Sequence, residues 1–176
     1  MKYEVIDNFL EEAQFKQLQE FMMGHFVPWY YQPYVALPKS KDGLYFTHLF
    51  FSDTQGKCWS MEHLQPLIDA IRPHTLLRAK GNLYPGTKKM FEHDQHVDMP
   101  FKHKGFILSI NTNNGYTRLD DGTKIKSVAN RGLFFDSSVL HNSSTCTDQQ
   151  VRVNINLNYM EWVGNFAIGI MRTFLI

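Results

Sequence analysis

His96-Val97-Asp98 is the one place in the chain where a carboxylate follows a histidine two positions later. In an extended segment, residues i and i+2 face the same side, about 6–7 Å apart along the strand. That spacing suits two ligands converging on one metal ion. The pair is weak by itself, because the chain holds 8 histidines and 17 acidic residues. Two further residues strengthen it. His141 follows the apolar run Gly132-Leu133-Phe134-Phe135-Asp136, and Arg152 lies 11 residues beyond His141.

Two histidines and one carboxylate can cover one face of an octahedral ion, the donor set of non-haem Fe(II) sites. Three adjacent positions then stay open. An α-keto acid can fill two of them and O2 the third. A dicarboxylate co-substrate needs a cation at its far end. Arginine suits this role, since its planar fork binds carboxylate bidentately and keeps its charge. His93 competes for the first position, but Gln95 stands where the acid would have to be. His25, His48, His63, His74 and His103 read as core or surface histidines. Asp136, near the distal histidine, reads equally as an orienting partner or as a turn aspartate.

These residues need rigid carriers. In Val151–Tyr159, Val151, Val153, Ile155, Leu157 and Tyr159 alternate with Arg152, Asn154, Asn156 and Asn158. Such alternation puts the two sets on opposite faces of a strand. Three asparagines are poor strand formers on a plain solvent face. A polar barrel interior accounts for them better. Further strands are expected at Leu44–Ser52, Leu76–Tyr84, Gly105–Thr112 and Gly132–Asp136, separated by turn-rich sequence. Helical spacing of Phe15, Leu18, Phe21 and Met22 predicts an early helix, with Asn8 and Glu11 as a capping box and Gly24 as its stop. Ser60–Arg72 is helical in pattern, with Pro66 breaking it or starting its second half. Helices early and strands late define an α+β, mostly-β domain with the helices on one face of an antiparallel sheet.

With these motifs in place, the chain resembles the Fe(II)- and 2-oxoglutarate-dependent dioxygenases, of the small prolyl-4-hydroxylase-like type. The matching pieces are His96-Val97-Asp98, His141 after Leu133-Phe134-Phe135, and Arg152 in the closing strand. Tyr84-x-Gly86 and Asn114-Gly115-Tyr116-Thr117 also match. The match covers Leu76–Tyr159 well; the first 75 residues share only a helical support. The resemblance implies a double-stranded β-helix (jelly-roll, cupin-like) with N-terminal supporting helices. It implies one dioxygenase domain over 1–176, with helical support and edge strands in 1–75 and a metal-binding barrel core in 76–160. His96, Asp98 and His141 would bind Fe(II), and Arg152 and Tyr84 would hold the distal carboxylate of 2-oxoglutarate. Asn154 stands where some relatives carry a serine. The implied activity consumes O2, decarboxylates 2-oxoglutarate to succinate and hydroxylates a protein side chain or a small molecule.

Two rival readings stay open. Nucleobase oxidative demethylases carry the same arrangement and an Arg-x-Asn start, here Arg152-x-Asn154, but this strand lacks their second arginine. A non-catalytic metal-binding barrel is the other. Charge weighs against nucleic acid as a partner, since 18 basic residues nearly balance 17 acidic ones. The cluster Lys88, Lys89, His93, Lys102, His103 and Lys104 reads as a solvated loop or as a rim attracting an acidic substrate. Two distant cysteines exclude a disulfide framework. The start lacks the apolar run of a signal peptide, and the apolar stretch Trp162–Ile176 is shorter than a membrane helix and carries Arg172. A cytoplasmic protein without a membrane segment is the expectation. The 14 Phe, 8 Tyr and 3 Trp supply core or pocket walls. Phe106, Phe134, Phe135 and Tyr159 are expected in the core, and the cluster Phe26–Tyr34 against substrate.

Overall fold

A computed structural model describes residues 3–35 and 43–161. Part of the aromatic-rich segment and the apolar stretch 162–176 lie outside the described residues. The first half of the chain holds β1 (Tyr3–Ile6), α1 (Glu12–Met23), β2 (Tyr30–Gln32), β3 (Tyr45–Ser52) and β4 (Gly56–Lys57). A 3-10 turn (Trp59–Leu64) then leads into α2 (Gln65–Ile71). Among the described residues strands follow: β5 (Thr75–Pro85), β6 (Lys104–Ser109), β7 (Tyr116–Arg118), β8 (Lys124–Lys126), β9 (Arg131–Asp136), β10 (Asn142–Ser143) and β11 (Val151–Met160).

The larger sheet runs β1-β9-β6-β11-β5-β3-β2, with β4 paired to β3, and the smaller runs β10-β7-β8. Every pairing is antiparallel. Two facing antiparallel sheets of this order make the expected double-stranded β-helix. β11 lies at the centre of the larger sheet, between β5 and β6.

The alternation along β11 decides what each face of the sheet meets. Val153, Ile155, Leu157 and Tyr159 pack with Phe15, Leu18 and Met22 of α1 and with Phe50, Ala79 and Phe106. Each fully buried aliphatic side chain of this kind stabilises by about 1.5–3 kcal/mol. The helices therefore cover the outer face of the sheet. Arg152, Asn154, Asn156 and Asn158 are nonetheless all buried, because their face closes against the smaller sheet and its loops. The polar interior inferred from three asparagines is present.

Two local expectations are corrected. The capping box does not form: Glu11 precedes α1 without a side-chain cap bond, and Asn8 takes φ 51°. Asparagine tolerates this left-handed backbone better than most residues. The turn it makes brings Leu10 to Asn130, whose side chain bonds the Leu10 N–H at 2.9 Å and its carbonyl at 2.8 Å. The strand expected to run to Thr112 ends at Ser109. Pro66 does start the second half of its segment, sitting in the first turn of α2.

Candidate metal centre and co-substrate pocket

His96 and His141 are paired by backbone. His96 N–H donates to the His141 carbonyl at 2.9 Å, and His141 N–H returns a bond at 3.0 Å. Asp98 N–H donates to Ser137 O at 3.1 Å. These bonds tie the His-x-Asp segment to the end of β9 and carry its side chains to the distal histidine. One ligand atom from each of His96, Asp98 and His141 falls within 4.8 Å of the others. His96 Nε2 is 3.9 Å from Asp98 Oδ1, and His141 Nε2 is 3.8 Å from Asp98 Oδ2.

The protonation of these groups fits a metal. His141 Nδ1 faces the Val139 carbonyl at 2.9 Å. A carbonyl only accepts, so Nδ1 carries the proton and Nε2 is left as a ligand. The orienting partner is thus Val139 O. Asp136 instead accepts bonds from the Ser138 N–H and hydroxyl as a turn residue. Burial and the neighbouring His141 push His96 down to about 4, so its ring is neutral at pH 7. Burial alone would raise the Asp98 carboxyl, but Arg78, His141, Lys80 and the Asn158 amide together hold it well below the usual range. Two imidazoles and one carboxylate are the donor set that Fe(II) takes.

Asp98 is held by Arg78 and by two of the interior asparagines of β11. Arg78 on β5 donates to Oδ1 at 2.7 Å. Asn156 and Asn158 donate to Oδ2 at 3.2 and 2.9 Å. Asn158 also bonds Ser137 Oγ at 3.1 Å, and Ser137 Oγ lies 2.7 Å from His103 Nε2. His103 is therefore buried in a network behind the metal acid. The signal for Arg78 was present: Arg78, Lys80, Asn82 and Tyr84 alternate along β5 as the polar residues do along β11. The register pairs the two rows, Arg78 with Asn158, Lys80 with Asn156, Asn82 with Asn154 and Tyr84 with Arg152.

Arg152 is 1% exposed, and no carboxylate pairs with it among the described residues. Its Nε donates to Ser127 Oγ at 2.8 Å, Nη2 to Thr117 Oγ1 at 3.2 Å and Nη1 to Ser144 O at 3.4 Å. All three partners are neutral. An arginine buried without an anion is costly, so this end of the barrel fits the carboxylate of a bound acid. The Tyr84 ring stands 5.2 Å from the guanidinium. It stacks on Tyr45 at 5.4 Å and on His93 at 5.2 Å. Burial raises the Tyr84 hydroxyl, which stays protonated and able to donate. Asn154 accepts from the Asn82 amide at 2.9 Å, two register pairs from Arg152 and on the same face. His93, the rejected rival ligand, contacts Ser143 Oγ at 2.8 Å and packs beside Tyr84, outside the triad.

The aromatic cluster divides. Tyr30 lines a cleft beside Arg78, whereas Tyr31 packs on Phe46 and Trp29 on the core. Phe106, Phe134, Phe135 and Tyr159 all join the core as expected, and Phe135 also stands edge-on to His141 at 4.9 Å. Of the basic cluster, Lys104 pairs with Glu161 at 3.5 Å. No helix among the described residues is long and apolar enough to cross a membrane.

A double-stranded β-helix with a His-x-Asp…His cluster in its interior defines the structural class. No protein-family model matches the chain, and no curated protein matches it in sequence. Solved structures do match. A prolyl hydroxylase from Trichoplax adhaerens, in complex with a hypoxia inducible factor oxygen degradation domain peptide fragment, aligns with a TM-score of 0.65. It is 15% identical over 91% of this chain and 84% of its own. A Pseudomonas putida prolyl-4-hydroxylase gives 0.62 at 13% identity over 92% and 94%. The non-heme alpha ketoglutarate dependent epimerase SnoN from nogalamycin biosynthesis gives 0.62 at 14% over 91% and 78%. The chain has the fold of these 2-oxoglutarate and Fe(II) enzymes.

Proposed function

We propose that the chain is an Fe(II)- and 2-oxoglutarate-dependent dioxygenase that hydroxylates a peptide side chain or a small molecule, and that 1–176 is one such domain. The observation that carries this reading is Arg152. It is a buried guanidinium whose partners among the described residues are all neutral, on the same interior face as a cluster of two imidazoles and a carboxylate. The range of similar folds supports both substrate classes: one similar structure is a complex with a peptide fragment, another is an epimerase of nogalamycin biosynthesis.

In this reading His96, Asp98 and His141 hold the metal on one face. When bound, the metal and 2-oxoglutarate would supply O2 activation coupled to decarboxylation to succinate. The protein's own work is positional. Arg152 receives the distal carboxylate as a fork, and Tyr84 donates its hydroxyl to the same group. Arg78, Asn156 and Asn158 hold Asp98 ionised and aimed, so little reorganisation is needed when a cation arrives. Asn82 and Asn154 close the polar wall between the two ends. The surrounding apolar layers keep water from the interior, which strengthens each of these contacts.

The test is calorimetry of the full chain with Mn(II), then with 2-oxoglutarate. Both are expected to bind. His96→Ala should remove metal binding, and Arg152→Gln should weaken 2-oxoglutarate at least 100-fold while leaving Mn(II) affinity within about twofold. Absence of 2-oxoglutarate binding to the metal-loaded chain would sink the proposal. Succinate release, uncoupled from any prime substrate, is the activity expected alongside.

A further inference from the structure

A cleft of about 670 Å³ opens on the β3–β5 side of the metal cluster. Arg78 and Lys80 of β5 line it, with Lys57 of β4. Tyr30, Tyr45 and Trp59 supply aromatic walls, Tyr30 and Trp59 being 61% and 62% exposed. No acidic residue lines the cleft among the described residues. The charge of Arg78 is already met by Asp98 at 2.7 Å. Lys80 and Lys57 form no ion pair with a carboxylate among the described residues.

The position of Lys80 follows from strand register. It lies opposite Asn156, whose amide donates to Asp98 at 3.2 Å, and its Nζ stands 5.7 Å from the Tyr45 ring. A cation is therefore built one residue pair from the metal carboxylate, on the wall the cleft exposes. Gathering positive charge without acids in a concave site favours an anionic ligand and draws it in. Lysine binds phosphate and carboxylate as a point charge. The volume falls within the roughly 300–1,000 Å³ of small-molecule sites.

We propose that this cleft is the prime-substrate site and takes a small molecule with an anionic group, carboxylate or phosphate, on an aromatic or other flat apolar body. Lys80 and Lys57 hold the anion, Tyr30, Tyr45 and Trp59 hold the body, and the carbon to be oxidised faces the cluster of His96, Asp98 and His141. The inference rests on the dioxygenase reading for the role of the cleft. The anion site itself stands on Lys80 and Lys57.

The test is titration of the 15N-labelled full chain with benzoate, phenyl phosphate and neutral benzamide, with and without Zn(II) and 2-oxoglutarate. The shifts of the Trp59 indole N–H and the Lys80 amide are followed. An anionic probe is expected to bind at least tenfold tighter than benzamide. Tighter binding of phenyl phosphate assigns a phosphate, and tighter binding of benzoate a carboxylate. Lys57→Gln combined with Lys80→Gln should weaken the anion at least tenfold, and Lys80→Arg should hold it within about threefold. If Lys80→Gln does not fold, Lys57→Gln alone, on an exposed two-residue strand, should still cost at least threefold. Equal affinity for benzamide overturns the inference. So does anion binding that survives loss of both lysines but disappears in Arg152→Gln. Failure of the dioxygenase reading shows separately, as absent 2-oxoglutarate binding.

Discussion

Arg78 and Asp98 form an ion pair at 2.7 Å, with the Asp98 side chain 5% exposed and that of Arg78 22%. Asn158 closes the arrangement, accepting from Arg78 Nε at 3.0 Å and donating to Asp98 at 2.9 Å. The acid of the metal cluster is thus ionised and oriented by the protein alone. A metal ion would meet a carboxylate already turned toward two imidazoles.

Removing Arg78 should leave Asp98 buried without its closest countercharge. Breaking such a pair from one side costs about 3–5 kcal/mol; here the partial exposure of Arg78 sets the lower end. Arg78→Met is expected to lose about 3 kcal/mol of stability without metal, and to regain most of it with Mn(II), which restores positive charge. Thermal melts with and without Mn(II) check this. A loss that Mn(II) leaves unchanged contradicts the charge argument.

Asn158→Leu keeps the branching of the side chain and removes the bonds to Arg78, Asp98, Ser137 and His103. Loss of an orienting partner behind a metal ligand costs about 10–100-fold in metal affinity. That is the expected effect on Mn(II) binding by calorimetry, with 2-oxoglutarate affinity of the metal-loaded form within about threefold. Unaltered Mn(II) affinity would show that Asn158 only packs.

Acid should destabilise the metal-free fold from near neutrality downward. Burial holds His93 and His96 at about 4 against an ordinary 6.5. Between those values the unfolded chain binds protons that the folded chain does not, so stability falls as pH falls through the window. Asp98 acts in the same direction lower down: its folded value is depressed, so its contribution is lost as pH drops below about 4. A loss on the order of 2–4 kcal/mol between pH 7 and 4.5 is expected for the two histidines together. Urea midpoints measure it, and His93→Gln should remove about half. A midpoint independent of pH over this range refutes the assignment.

Gly115 packs against Arg152, the guanidinium proposed to hold 2-oxoglutarate. A Cβ there would lie 2.7 Å from Arg152 Cδ, 2.8 Å from Asn113 Oδ1 and 2.9 Å from the Thr145 carbonyl. Gly115→Ala should therefore displace Arg152 and cost about 1–3 kcal/mol, as overpacking does. The specific outcome is a tenfold or greater loss of 2-oxoglutarate affinity with Mn(II) binding intact. Equal loss of both would mean the strain spreads beyond the Arg152 end.

Much of this was legible in one dimension, because strand period is local. Alternation along Val151–Tyr159 alone determined that Arg152 shares a face with Asn154, Asn156 and Asn158. The spacing of His96 and Asp98 determined that both could reach one ion. The five longer strands, β3, β5, β6, β9 and β11, were also readable, since apolar runs and turn residues mark them, whereas the strands of two to four residues carry too little pattern to show. The capping box at Asn8 does not form because the turn there is held from afar: Asn130, 120 residues beyond Leu10, bonds both backbone groups of Leu10.

Only the tertiary structure decided what those faces meet. His96 and His141 are 45 residues apart, yet two backbone hydrogen bonds make them neighbours. Arg78 became the countercharge of Asp98 through the register of β5 on β11, and Arg152 was left among neutral hydroxyls by the closure of the smaller sheet. No local rule reports the absence of an anion beside a guanidinium. That absence is a property of packing, and the reading of this barrel as a site for an acid depends on it.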